Sequence, residues 1–194
     1  NIDIPNPEKK TVRSYSIASS PHQSRTFTLC IKLINGPGSA YFQTLEAGAT
    51  IQGSGPFGLF TVKDSYTEDL LFVGTGTGVA PLKGMMEYQI EHHFGGRMSL
   101  FFGVRHVEDV FYDELFKGMA QTHKTIDYVL TVSRPDENWK GHRGRVTDLI
   151  KTSTFTLNTL RVFVCGNGDM IKEVVDMFKE MGLSEEKIHH EKFY

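Results

Sequence analysis

Cysteine is scarce in this chain. Cys30 and Cys165 are the two present, far apart, without the CxxC spacing of zinc sites or the clustered spacing of iron–sulfur ligands, so no metal or cluster is expected here. With no disulfide framework either, the expected compartment is the reducing cytoplasm. Long apolar runs are also missing: none approaches the roughly 20 residues of a membrane-spanning helix, so no membrane span is expected and the chain reads as soluble. An excess of one charge sign is missing too. A formal charge of -2, with no basic patch in the charge pattern, gives nucleic acid or an anionic membrane nothing to bind. A small ligand or a protein partner is expected instead. The chain opens on NIDIPNPEKK, without an initiator Met, and an upstream segment is therefore expected.

What is there falls into two patterns. Up to about Asp64, β-branched and aromatic runs (TVRSYSIAS, RTFTLCIKLI, ATIQG, LFTVK) alternate with Gly, Pro and Ser, which reads as antiparallel sheet. The turn GPG precedes SAYFQTL, so a short helix over Ser39–Leu45 is expected with Ser39 as its N-cap. From Leu70 onward, short buried-type strands alternate with amphipathic helices, the pattern of βαβ units and a parallel sheet. Five strands are predicted, at Leu70–Gly74, Met98–Val104, Ile126–Ser133, Arg161–Gly166 and Lys187–Phe193. Helices are predicted at Pro81–Phe94, Val110–Ala120, Arg145–Lys151 and Asp169–Met181, the last stopped by Gly182. The boundary between the patterns is placed in KDSYTED, giving units of 1–65 and 66–194.

The turn GTGTGVAPL follows a predicted strand and opens a predicted helix. Gly74, Thr75, Gly76, Thr77 and Gly78 would let a diphosphate approach backbone N–H groups where the helix dipole favours negative charge. Pro81 suits the first helical turn, having no N–H to leave unpaired. The spacing GxGxG departs from the dinucleotide fingerprint GxGxxG, and the second strand ends in GVR rather than in an acidic residue able to hold a ribose 2′-hydroxyl.

Taken with RSYS at 13–16, GPGS at 36–39, CGNGDM at 165–170 and the C-terminal EKFY, that turn resembles the ferredoxin-NADP reductase superfamily over nearly the whole chain. The resemblance implies a partial antiparallel β-barrel as the flavin domain, 1–65, short of its N-terminal strands. An added segment or a second copy of the chain, as a homodimer, would cover the open edges. It implies FAD bound by Arg13 at the pyrophosphate, Tyr15 against the isoalloxazine or ribityl, Ser16 near N5, and Ser14 between them. Gly38 and Ser39 would cap the flavin diphosphate. Cys165, with Gly166, Asp169 and Met170 beside it, would lie near the nicotinamide, where a thiol can act without ionising. Glu191 would lie near the reacting centre, and Phe193 or Tyr194 would cover the flavin face that the nicotinamide must occupy. The catalytic set implied is Ser16, Cys165 and Glu191.

SRP places Ser133 and Arg134 at the end of the third predicted strand, where NADP-dependent members of the superfamily hold the 2′-phosphate, and Arg105 follows the second. A guanidinium matches phosphate with a planar fork of donors, so NADPH is expected, with NADH as the alternative. The implied activity is hydride transfer from NADPH to FAD, with electrons passed to a protein such as ferredoxin or flavodoxin. The alternatives are an NADH-dependent reductase component serving an oxygenase component and a non-catalytic flavin-binding relay subunit. The histidine pairs His92–His93 and His189–His190 make no plausible metal site.

Overall fold

A computed structural model describes residues 1–6, 9, 11–21 and 25–193; Tyr194, one of the two aromatic candidates, lies outside the described residues. The apolar runs after residue 68 form strands, most of them buried along almost their whole length, as strands covered on both faces must be; the last, at the sheet edge, is buried at Ile188 alone. They are β3 (Asp69–Thr75), β4 (Met98–Val104), β5 (Ile126–Val132), β7 (Leu160–Gly166) and β8 (Ile188–Lys192). With the short β6 (His142–Arg143), all pair in parallel, in the order β6-β5-β4-β3-β7-β8.

The sheet has six strands, not the five predicted. The additional one, β6 (His142–Arg143), comes from GHRGR, which has no periodicity to mark it. It is fastened to β5 by one side-chain and one backbone hydrogen bond at its end: Thr131 Oγ1 donates to the Gly144 carbonyl at 2.8 Å, and Gly144 N donates to the Val132 carbonyl at 3.0 Å.

Alternation along β3 divides the core in two. Leu70 and Phe72 face one side, packed with Leu82 and Met86 of α2 (Val79–Glu91) and Phe116 of α3 (Asp113–Thr122). Leu71 and Val73 face the other, with Val146 and Ile150 of α4 (Val146–Thr152) and Val174 and Phe178 of α5 (Gly168–Glu180). Helix α5 ends as expected at Gly182, φ +94°, where Gly182 N and Leu183 N donate back to Lys179 and Phe178 carbonyls. Helix α3 starts later than predicted, because Tyr112 adopts a left-handed backbone (φ 58°) and Phe111 turns edge-on to Phe102. No helix among the described residues is long and apolar enough to cross a membrane.

The first third departs further from expectation. Among the described residues its ladder is one antiparallel pair, β1 (Ile2–Ile4) with β2 (Thr11–Arg13), plus isolated bridges Ile2–Gly53 and Ile17–Leu29. The barrel expected there is reduced to this small sheet. Apolar side chains that a barrel would turn inward, Phe27, Leu33, Ile34, Phe57 and Leu59, are exposed, and segments without a neighbouring backbone in register form no ladder. The short helix is α1 (Pro37–Gln43), not Ser39–Leu45. Pro37 supplies a first helical position that needs no N–H, so the cap position falls on Gly36 and Ser39 lies inside the helix. The run LFTVK packs Phe60 and Val62 against the sheet, and Tyr66 follows with its ring 4.0 Å from the Arg161 guanidinium.

Candidate functional site

From β3 the chain moves outward to β4 and β5, then returns to the other side of β3 as β7. The crevice beyond the carboxyl ends of β3 and β7 is thus a topological switch point, where open α/β sheets bind ligands. Two turns meet there. The first, Gly76–Gly78, is a single turn of 3-10 helix that runs into α2. Gly76 has φ +53°, and space is open where a Cβ would stand, so its backbone face is accessible to a ligand. Gly78 has the opposite surroundings: a Cβ there would collide with the Cys165 carbonyl. The two turns also share a hydrogen bond, Asn167 N donating to Thr75 Oγ1 at 3.3 Å. Bare backbone beside a helix N-terminus, with Gly74, Thr75, Thr77 and Gly78 around it, fits a dinucleotide diphosphate.

Ser16, Cys165 and Glu191, distant in sequence, come together at this crevice. The Ser16 hydroxyl donates to Glu191 Oε1 at 2.7 Å. Glu191 stands opposite Cys165 in the β7–β8 ladder. Burial, and secondarily the charge of Glu191, push the Cys165 thiol far above its ordinary range, so it stays protonated. The site therefore offers a neutral thiol and a hydroxyl–carboxylate pair rather than a thiolate nucleophile. Phe193 follows on the same strand end, half-buried, its N–H donating to the Gly166 carbonyl at 2.8 Å.

RSYS leaves the ladder at Arg13, where β2 ends. Arg13 is exposed and Nη1 donates to the Val12 carbonyl; Ser14 Oγ donates to Asn1 Oδ1 at 2.7 Å. Tyr15 turns its ring edge toward Phe42, 5.2 Å between centroids, and its hydroxyl lies against Gly38, where a Cβ would overlap it. The Arg13 stem borders the same glycine, so RSYS and GPGS form one cluster. Buried Ser39 uses its hydroxyl to accept Ile34 N at 2.9 Å, fixing the approach to α1.

At the ends of β4 and β5, Ser133 N donates to the Val104 carbonyl and Arg134 N to the Arg105 carbonyl, at 3.0 and 2.8 Å. These bonds hold exposed Arg105, Ser133 and Arg134 side by side. Two features escaped sequence reasoning. Asn167 caps α5, its Oδ1 accepting Asp169 N at 2.9 Å and Met170 N at 3.4 Å, which uses the backbone donors of both predicted contact residues. Asn just before a helical run was the available signal. Arg143, exposed on β6, donates Nη2 to the carbonyls of Asp136 and Trp139 at 3.1 and 2.9 Å and closes the loop after Arg134.

Comparison with known proteins gives the family. Residues 1–62 match the model of the oxidoreductase FAD-binding domain, and residues 72–176 match that of the oxidoreductase NAD-binding domain. The chain is 33% identical to ferredoxin--NADP reductase B of Sorangium cellulosum, over 100% of this chain and 82% of that protein. It is 29% identical to the reductase component of phenol 2-monooxygenase from Pseudomonas sp., covering 94% of this chain but only 53%, about half, of that protein's length. The fold overlays on the Amycolatopsis cytochrome P450 reductase GcoB with a TM-score of 0.88 at 24% identity, covering 99% of this chain and 59% of that one. By fold, by both domain matches and by its relatives, the chain belongs to the ferredoxin-NADP reductase superfamily of FAD- and nicotinamide-dinucleotide-binding oxidoreductases.

Proposed function

We propose that this chain oxidises NADPH through FAD and delivers the electrons to a protein acceptor of the ferredoxin or flavodoxin type, with 1–65 as flavin lobe and 66–194 as nucleotide lobe. The observation that carries the reading is the convergence of Ser16, Cys165 and Glu191 at the switch point. Bound FAD would supply the chemistry, accepting a hydride from the nicotinamide and releasing electrons singly or in pairs. The protein's part is positioning. Gly76 and the start of α2 hold the nucleotide diphosphate, and Arg13, Tyr15 and Gly38 hold the flavin. The Ser16 hydroxyl, aimed by Glu191, fixes the reacting edge, and the protonated Cys165 packs against it without adding charge. Phe193 would shield the crevice from water and, since aromatic stacking is favourable yet displaceable, could yield its place to a bound nicotinamide.

Arg134, Ser133 and Arg105 would take the 2′-phosphate, which favours NADPH over NADH. Arg134→Ala should raise KM for NADPH by about tenfold while leaving KM for NADH near its starting value; equal effects on both nucleotides contradict the assignment. The resemblance to the phenol 2-monooxygenase reductase component favours a second reading, an NADH-linked reductase serving an oxygenase. Measured preference between the two nucleotides separates them.

A further inference from the structure

Helix α2 begins at the glycine turn and carries Lys83 at 7% exposure, its one buried charged residue, among Val79, Leu82, Met85 and Met86. Lys83 Nζ donates to the Ala18 carbonyl at 2.8 Å and to Glu87 Oε1 at 2.6 Å, one turn along, and lies 5.5 Å from the Tyr112 ring centroid. The other oxygen of Glu87 accepts Ser20 N at 3.2 Å, and Glu91 accepts the Ser20 hydroxyl. Between them Gly84 brings the helix so close to Ser19 that a Cβ would stand 3.0 Å from the Ser19 carbonyl oxygen. Residues 18–20 are braced from behind, Ala18 N donating to the Thr28 carbonyl and Thr28 N to Ser19 Oγ. Lys83, Gly84, Glu87 and Glu91 thus line one side of α2 and grip one segment of the other lobe.

The placement of this seam decides its meaning. Ala18 directly follows RSYSI, so the carbonyl held by Lys83 is tied by a short stretch of chain to Ser16. At the other end, Lys83 stands on the helix whose first turn is the nucleotide cradle. A buried ion pair is a poor source of stability compared with apolar packing of the same volume, but it is directional and admits one register. We infer that Lys83 and Glu87 are positioning residues, setting the approach of the flavin-side Ser16 to the nucleotide-side turn without touching either cofactor. This inference rests on the proposed reductase function, so its test includes a readout that does not.

The test compares wild type with Lys83→Arg, with Lys83→Met and with Lys83→Met/Glu87→Gln, which leaves no buried charge unpaired. Hydrogen exchange of the segment containing the Ser20 amide reads the seam alone, and faster exchange is expected in both Met variants. Single-turnover bleaching of bound flavin by NADPH should slow by about tenfold or more, with KM for NADPH within about twofold and a larger deuterium isotope effect, because a misplacement near 1 Å can cost about a hundredfold. Lys83→Arg should recover most of the rate. A wild-type bleaching rate with the seam loosened overturns the inference, as does a rate loss matched by an equal loss of nucleotide affinity. Should wild-type flavin not be bleached by NADPH at all, the reductase reading fails; unchanged Ser20 exchange in the double variant then overturns the seam separately.

Discussion

The two parts of the molecule hold themselves together in different ways. From Asp69 onward, a six-stranded sheet lies between two packed cores, with Phe72, Phe102, Phe116, Phe163 and Phe178 fully buried. In the first sixty-odd residues the buried apolar side chains among those described are Ile2, Ile4 and Ala18, while Leu59 is 98% exposed. The region from Asp69 onward is therefore held by apolar burial, and the first third, apart from Phe60 and Val62 packed on the sheet, by polar contacts with it: Ala18 to Lys83, Ser20 to Glu87, Ser16 to Glu191. Burial resists disruption broadly, whereas a hydrogen-bonded seam depends on single atoms. Stability should reside mainly in one region and catalytic alignment in the contacts between the two.

The largest expected effect follows from burial. Phe163 lies between Phe72, 5.5 Å between centroids, and a His189 ring stacked at 4.7 Å. Phe163→Ala should cost about 3–5 kcal/mol in urea unfolding; a loss below about 1 kcal/mol breaks the contrast between the regions. Next, Gly78→Ala forces a methyl onto the Cys165 carbonyl. It should cost about 1–3 kcal/mol and weaken dinucleotide binding, measured by titration calorimetry, because the shift reaches both turns of the crevice.

A smaller effect is expected at acid pH. The Arg161 side chain donates to Glu68 Oε1 at 2.6 Å and holds that carboxyl below the usual glutamate range. Its folded pKa lies below its unfolded one, so the stability it contributes is fully present above the ordinary glutamate value and is lost as pH falls through the folded one. Glu68→Gln should flatten the acid limb of a stability–pH curve below about pH 4.3 and leave its neutral portion with the same slope. The smallest effect is expected at Leu59, where Leu59→Ser should change stability by no more than about 0.5 kcal/mol. A larger loss would show that this exposed apolar surface is covered in solution.

Legibility followed the same division. Strand β4 matches its predicted span, and β3, β5, β7 and β8 agree to within a residue or so at each end; β3, β4 and β7 are legible because a strand buried on both faces announces itself as an apolar run, whereas β8, at the sheet edge, buries Ile188 alone. Strand β6 has two exposed residues and no such run; its pairing depends on Thr131 and Gly144, which pattern alone does not connect. In the first third, alternation showed which side chains are apolar but not which backbones lie alongside one another, and a ladder needs both. Spacing likewise could not bring Ser16 to Glu191, since that contact exists only once β8 and the segment after β2 are placed. The motifs named the candidates, and the topology made them neighbours. Lys83 went unremarked because a lysine four residues before a glutamate on a helix is ordinarily a solvated pair.

The central claim is that the crevice joins a nicotinamide to a flavin, and anaerobic titration of the FAD-loaded chain with NADPH tests it most directly. The account predicts that the visible flavin band bleaches with one equivalent of NADPH, and that Ser16→Ala and Glu191→Gln each slow the bleaching by about a hundredfold with nucleotide affinity nearly unchanged. Flavin that stays oxidised with both NADPH and NADH, yet bleaches with dithionite, would contradict it.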